Sequence, residues 1–238
     1  TLLNAGDHIV ASEVSYTGTQ KLLGFHLPRF GVDVDLVDTT DPEAVSHAIR
    51  EDTKVVYVET PGNPVVGISD IEKISEMARA VGARMIVDST WSGMINQQPL
   101  SLGADIVIHS ATKYINGHGD ALGGAVIGPQ KMLADIREYG IVHLGACISP
   151  FNAWLILRCS VTLPMRMEKH SQNALAVASF LESHSKVKSV TYPGLKSHPG
   201  YETARKQMKA PSGMLNFNLD ADMMSHFDFI NNLRLIAH

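Results

Sequence analysis

The chain has 238 residues, a hydrophobic content of 45%, a charged content of 18% and a formal net charge of −4. Those values describe a globular protein with a sizeable core, argue against a dominantly disordered chain and give no electrostatic case for a nucleic-acid partner. With only Cys147 and Cys159 there is no disulfide framework, and no apolar run approaches the ~20 residues a membrane span needs, so a reducing cytoplasm without a membrane partner is expected.

Short β-branched runs recur along the chain with helical patterns between them. They predict strands at His8 to Ser12, Asp33 to Val37, Val55 to Glu59, Met85 to Asp88, Ile106 to His109 and Ala125 to Ile127. Strands separated by single helices form a largely parallel sheet, so the fold class is α/β. Asp41-Pro42 and Ser149-Pro150 read as an N-cap followed by proline at the first helical position. Ser69-Asp70-Ile71-Glu72 reads as a capping box, with Ile71, Ile74, Ala78 and Val81 then repeating at helical spacing. From Ser149 to about Ser183 the pattern is helical, and Pro164 should kink or break it. Beyond it, Val187 to Tyr192 and Met214 to Leu219 read as strands around a helix at Tyr201 to Met208. The expected division is a large unit over 1–148, a connecting helical region over 149–183 and the start of a smaller α+β unit over 184–238. The chain opens at Thr1 within Leu2-Leu3 and stops at Leu233 to His238 without a turn or cap, so it reads as a fragment.

Open α/β sheets bind ligands beyond the carboxyl ends of their strands. Tyr16, Asn63, Asp88 and Lys113 follow or end the first, third, fourth and fifth runs. Lys113, between Thr112 and Tyr114 and ahead of Asn116-Gly117-His118-Gly119-Asp120, is the candidate Schiff-base amine. A partly desolvated lysine suits both the attack on an aldehyde cofactor and proton movement at a substrate Cα. Asp88 is the candidate partner of a pyridine nitrogen, because a carboxylate there keeps the ring protonated and electron-withdrawing. Ser110 and Thr112 alternate around Ala111, so their hydroxyls can point the same way and donate to a phosphate. Tyr16 can stack on a flat ring, and Asn63 can donate to a phenolic oxygen. Each residue has a plainer reading when taken alone: surface charge for Lys113, turn cap for Asp88, strand-end caps for the hydroxyls, packing for Tyr16, an Asn-Pro turn for Asn63. Their convergence carries the argument for pyridoxal phosphate.

Competing readings are weaker. A dinucleotide fingerprint fails because Leu122 occupies the third glycine position after Gly117 and Gly119, and the segment follows the fifth strand run. The 11 histidines form no short metal-ligand motif, so no metal is expected, and His109 and His118 read as structural.

Val87-Asp88-Ser89-Thr90 and the segment from Leu102 to Asp120 closely resemble the Cys/Met metabolism family of pyridoxal-phosphate enzymes. That family includes cystathionine γ-synthase, cystathionine lyases, methionine γ-lyase and homoserine sulfhydrylases. The likeness extends over essentially the whole chain, through Ala5 to His8, Glu59 to Pro64, Leu163 to His170, Tyr192 to Leu195 and Ser212-Gly213-Met214. It implies the aspartate-aminotransferase type of fold (fold type I), Lys113 and Tyr16 as catalytic residues, and Lys113, Asp88, Tyr16, Ser110, Thr112 and Asn63 as holders of pyridoxal 5'-phosphate. It also implies a small amino-acid substrate and a homotetramer, a dimer of dimers with active sites shared between subunits. The expected activity is γ-elimination or γ-replacement on sulfur amino acids or homoserine esters. Cystathionine β-lyase, O-acetylhomoserine sulfhydrylase and a non-catalytic remnant are the alternatives. By the same resemblance, a phosphate-capping Ser-Gly-Met turn and a Tyr-x-Arg arm precede Thr1 and a carboxylate-binding arginine follows His238, so the fragment alone is expected to be inactive. Ser89, Trp91, Ser92-Gly93-Met94, Gly18 and Cys159-Ser160-Val161 depart from the commoner pattern, and Gly18 stands where methionine γ-lyases often carry cysteine.

Overall fold

The computed structural model describes residues 1–236, so the last two residues of the expected small unit, 237 and 238, lie outside the described residues. Six strands form one sheet in the order β2-β1-β3-β4-β5-β6. They are β1 (His8–Ser12), β2 (Asp33–Val37), β3 (Thr53–Glu59), β4 (Arg84–Asp88), β5 (Ile106–Ser110) and β6 (Gly124–Ile127). The first five are parallel, whereas β6 runs antiparallel to β5. That reversal follows from the connection: a parallel neighbour needs a crossover, and the short lysine-bearing turn after β5 supplies none. All six predicted strands are present. β3 begins earlier than expected because Thr53 pairs with His8, and its hydroxyl lies 2.8 Å from His8 Nδ1.

Both faces of the sheet are covered, which is why the central strands read as continuous apolar runs rather than alternating ones. On β3, Val56 and Val58 pack with Val45, Ile71, Ile74, Ala78, Met85 and Val87. Val55 and Tyr57, on the opposite face of the same strand, pack with Ile9, Ala11, Leu23 and Val32. The helical segment 17–29 carries the chain from β1 to β2, Pro42–Ala48 from β2 to β3, and Ile71–Ala80 from β3 to β4.

Two caps form as expected: Asp41 accepts from the Glu43 amide, and Ser149 from the Asn152 amide. The capping box does not form. Asp70 caps helix Ile71–Ala80 by accepting from the Lys73 amide, while Ser69 is buried against Thr39, where its hydroxyl serves a tertiary contact. The helical stretch breaks as Pro164 requires, into Pro150–Ser160 and Leu163–Glu182, with Pro164 in the first turn of the second helix where it does least harm.

β7 (Val187–Thr191) and β8 (Asn216–Leu219) form a separate antiparallel pair with helix Tyr201–Gln207 between them in sequence. This segment rests on the main sheet's loops: His198 Nε2 lies 3.1 Å from the Val66 carbonyl oxygen, and the Gln207 amide donates to the Ser69 carbonyl. Helices Gln130–Arg137 and Met223–Asn231 have no counterpart in the sequence reading; the second is capped by Asp222, which accepts from the Ser225 amide. No described helix is long and apolar enough to cross a membrane.

Candidate active site

The chain runs from β1 outward to β2 and then returns to the other side of β1 as β3. Loops leaving β1 and β3 therefore diverge, opening a crevice at the carboxyl edge of the sheet where a ligand can enter. A cavity of ≈ 220 Å³ lies there, lined by Tyr16, Glu59, Asn63, Asp88, Thr90, Trp91, Ser110, Thr112, Lys113 and Leu122. All six site residues expected from sequence line it.

Strand ends place these groups. The β4 carbonyl at Asp88 accepts from the Thr60 amide, and Asp88 Oδ1 accepts from the Thr90 amide at 2.9 Å. Asp88 therefore does cap its own turn, which holds its carboxylate at the crevice, while Oδ2 lies 3.4 Å from the Tyr57 hydroxyl. Thr90 Oγ1 accepts from the Ser110 amide and so ties the ends of β4 and β5 together. After Ser110 the chain turns sharply: the Lys113 amide donates to the Ser110 carbonyl and the Asn116 amide to that of Ala111. Ala111 and Ile115 anchor this turn in a small apolar cluster with Leu163 and Met167 of the long helix. Thr112 is fixed by Gly123, whose amide donates to its hydroxyl at 3.1 Å.

Lys113 is exposed, which corrects the expectation of a partly desolvated amine. Tyr16 is 58% exposed and stands at the mouth. Its ring leans over Gly18, where a Cβ would meet Tyr16 Cε1 at 2.6 Å, so glycine at this position lets the ring lie close to the backbone. His109 is buried, and burial holds its pKa below the ordinary imidazole range against the pull of Asp88; His118 folds back on the Asn116 carbonyl at 2.7 Å.

Sequence reasoning did not single out Glu59, Thr90, Trp91 or Leu122. Glu59 ends the third apolar run as Asp88 ends the fourth, so the same signal was available for it. Its carboxyl is buried, and burial pushes its pKa up to about 7, opposed by hydrogen bonds from the Tyr16 and Asn63 amides and assisted by Asp88. Burial likewise pushes the Tyr57 hydroxyl far up, with Asp88 adding to the effect, so Tyr57 is a neutral donor. Arg166 was passed over because it lies far along the chain. Its guanidinium donates to the carbonyls of Tyr114, Ile115 and Cys159 at 2.7, 3.2 and 3.0 Å, clamping the lysine turn onto the long helix.

A doubly covered, mostly parallel sheet with an amine, a carboxylate and two hydroxyls at its carboxyl edge defines the large domain of a fold type I pyridoxal-phosphate enzyme. The comparisons agree. The sequence matches the family described as Cys/Met metabolism PLP-dependent enzyme over residues 1–238, and the chain belongs to that family. Among curated relatives, it is 46% identical over 237 residues to an L-methionine gamma-lyase of Treponema denticola, covering 98% of this chain and 59% of that protein. It is 45% identical over 235 residues to a cystathionine beta-lyase of Lactococcus lactis subsp. cremoris, covering 98% and 61%. A canavanine gamma-lyase of Pseudomonas canavaninivorans is 41% identical over 240 residues, covering 100% and 60%. The crystal structure of metB from Corynebacterium glutamicum superimposes with a TM-score of 0.97 at 40% identity, covering all of this chain and 62% of that one. The chain thus spans about three-fifths of the length of the relatives it matches.

The family is enzymatic and its cofactor is pyridoxal 5'-phosphate. The residues present fit it: Lys113 brings an amine, Asp88 a carboxylate, Ser110 and Thr112 hydroxyls, Asn63 a side-chain amide and Tyr16 an aromatic ring to one cavity. Those are the chemistries that an aldehyde, a pyridine nitrogen, a phosphate, a phenolic oxygen and a flat ring require.

Proposed function

We propose that the protein carrying this chain acts on sulfur amino acids or homoserine esters by γ-elimination or γ-replacement, using pyridoxal phosphate held by the residues of this cavity. The observation that carries the reading is the meeting of Lys113, Asp88, Tyr16, Asn63, Ser110 and Thr112 in one crevice although they come from four separate strand ends. Relatives named methionine and canavanine gamma-lyases support a γ-directed reaction, and the relative named cystathionine beta-lyase supports β-elimination as the second reading.

Bound pyridoxal phosphate supplies an aldehyde and an electron-withdrawing ring. Lys113 would provide the amine that holds the aldehyde, and the same amine would take the proton from the substrate Cα. Asp88 keeps a proton on the ring nitrogen by charge, and the Thr90 amide holds its carboxylate in place. Ser110 and Thr112 would donate to the phosphate, and Asn63 to the phenolic oxygen. Tyr16 would cover one face of the ring and, from the mouth of the cavity, would exchange a proton with the departing group. The exposure of Tyr16 and Lys113 supports a site shared between subunits of a homo-oligomer. The division into a cofactor-binding unit over 1–148, a helical connection over 149–183 and a small unit from 184 onward is part of the same proposal.

The test is the visible spectrum of the full protein with added pyridoxal phosphate, followed by borohydride trapping and mass mapping. A trapped adduct is expected at Lys113. Lys113→Ala should remove it and lower turnover of methionine, cystathionine or an O-acylhomoserine by roughly 10²–10⁴-fold. Undiminished turnover in Lys113→Ala would overturn the assignment, and the identity of the released keto acid separates β- from γ-elimination.

A further inference from the structure

Glu59 is the one pocket carboxylate without a part in the chemistry just described. It sits at the end of β3, where the chain's direction across the sheet reverses. Its two oxygens are divided between two loops: Oε2 accepts from the Tyr16 amide at 2.8 Å, and Oε1 from the Asn63 amide at 2.9 Å. Tyr16 lies on the loop leaving β1, Asn63 on the loop leaving β3, and no other side chain among the described residues bonds to both of their amides. The Glu59 backbone is itself held, its amide donating to Ser12 Oγ at 3.2 Å. The approach around it is close: a Cβ on Gly62 would lie 3.3 Å from the Glu59 carbonyl and 3.4 Å from that of Val14.

We propose that Glu59 is a positioning residue that fastens the two loops flanking the Lys113 crevice, so that the Tyr16 ring and the Asn63 amide are aimed at the cofactor before it binds. The proposal rests on the reading of this crevice as the pyridoxal-phosphate site. Both oxygens act as acceptors, and the ionised carboxylate is the stronger acceptor at each of them. Two backbone donors are what allow a charge to persist there despite burial and despite Asp88 nearby. The other groups facing it are the neutral Tyr57 on the same strand, Tyr16 itself, and Lys113 across the crevice. A glutamine cannot substitute, because its single acceptor oxygen satisfies one amide while its NH₂ opposes the other.

The experiment measures amide hydrogen exchange in the full protein without cofactor, in parallel with its affinity for pyridoxal phosphate. In unmutated protein above about pH 7, where Glu59 is ionised, the Tyr16 and Asn63 amides should be protected. Glu59→Gln should expose one of the two amides and Glu59→Ala both, leaving the Thr112 amide unchanged. Both variants should bind pyridoxal phosphate about tenfold or more weaker, the equivalent of one charge-assisted hydrogen bond, with trapping still at Lys113. Unchanged protection in the variants would overturn the proposal. So would lost protection with undiminished cofactor affinity, which would leave Glu59 a merely structural brace. Failure of trapping in the unmutated protein would instead remove the functional reading, while the exchange data would still report on the fastening of the loops.

Discussion

Gly117 offers a direct measure of how firmly the lysine turn is fixed. Its φ is +73°, and a Cβ there would lie 2.1 Å from Arg166 Nη1, 2.7 Å from Cζ and 3.2 Å from the Tyr114 carbonyl oxygen. The end of an arginine can usually swing aside, but this guanidinium is tied to three carbonyls and to the Thr162 hydroxyl. Gly117→Ala therefore carries two costs. Placing alanine in the left-handed region costs roughly 1–2 kcal/mol, and losing at least one charge-assisted hydrogen bond from Arg166 costs about 1.5–3 kcal/mol. The sum is about 2.5–5 kcal/mol. Gly82→Ala is the matched control, since Gly82 has φ +76° and nothing within 4 Å of the added Cβ, so only the backbone cost applies. Urea unfolding of the full protein, read by linear extrapolation, should find Gly117→Ala less stable than Gly82→Ala by about 1.5–3 kcal/mol. In an Arg166→Ala background that excess should vanish, the signature of a coupled pair. Equal costs for the two alanines, or an excess that survives removal of Arg166, would refute the reasoning.

Two further outcomes can be checked by the same unfolding measurement. Asp70→Ala should cost ~1 kcal/mol through loss of the cap on helix Ile71–Ala80, and no loss at all would return the capping role to Ser69. The raised pKa of Glu59 means that the folded chain holds this proton more tightly than the unfolded chain. The stability it contributes is therefore present at acid pH and lost as pH rises from 4.5 to about 7. Relative to Glu59→Gln, the unmutated protein should lose up to about 1.4 kcal/mol per pH unit across that window. Buried His109 and His198, whose pKa values are pushed down, act in the opposite direction in both proteins and cancel in the difference. A flat difference curve would contradict the burial argument. A carboxylate that costs stability to ionise and is nonetheless kept is what a positioning role requires.

The sheet was legible because its signals are local. Apolar runs of strand length bounded by turn residues define β1 through β6, and proline marks the start of two helices and the break before Leu163. Lys113, Asp88, Ser110, Thr112, Tyr16 and Asn63 could be picked out because each sits at the end of such a run. Helix Met223–Asn231 was missed although Asp222 and Ser225 carry a cap signal, since a short apolar segment does not by itself distinguish helix from strand.

Other features have no local signature. Ser69 looks like a cap until Thr39 draws its hydroxyl into the interior, and Asp70 takes over. Glu59 looks like the end of a strand until the return of β3 beside β1 brings Tyr16 within reach of its carboxylate. Arg166 has meaning only when the long helix packs on the lysine turn. Periodicity, caps and turn residues act over a few positions, so the sequence by itself determined which elements form and which reactive groups stand at their ends. Which of those groups are fastened, buried or left open is decided by partners distant in the chain, and only tertiary structure brings them together.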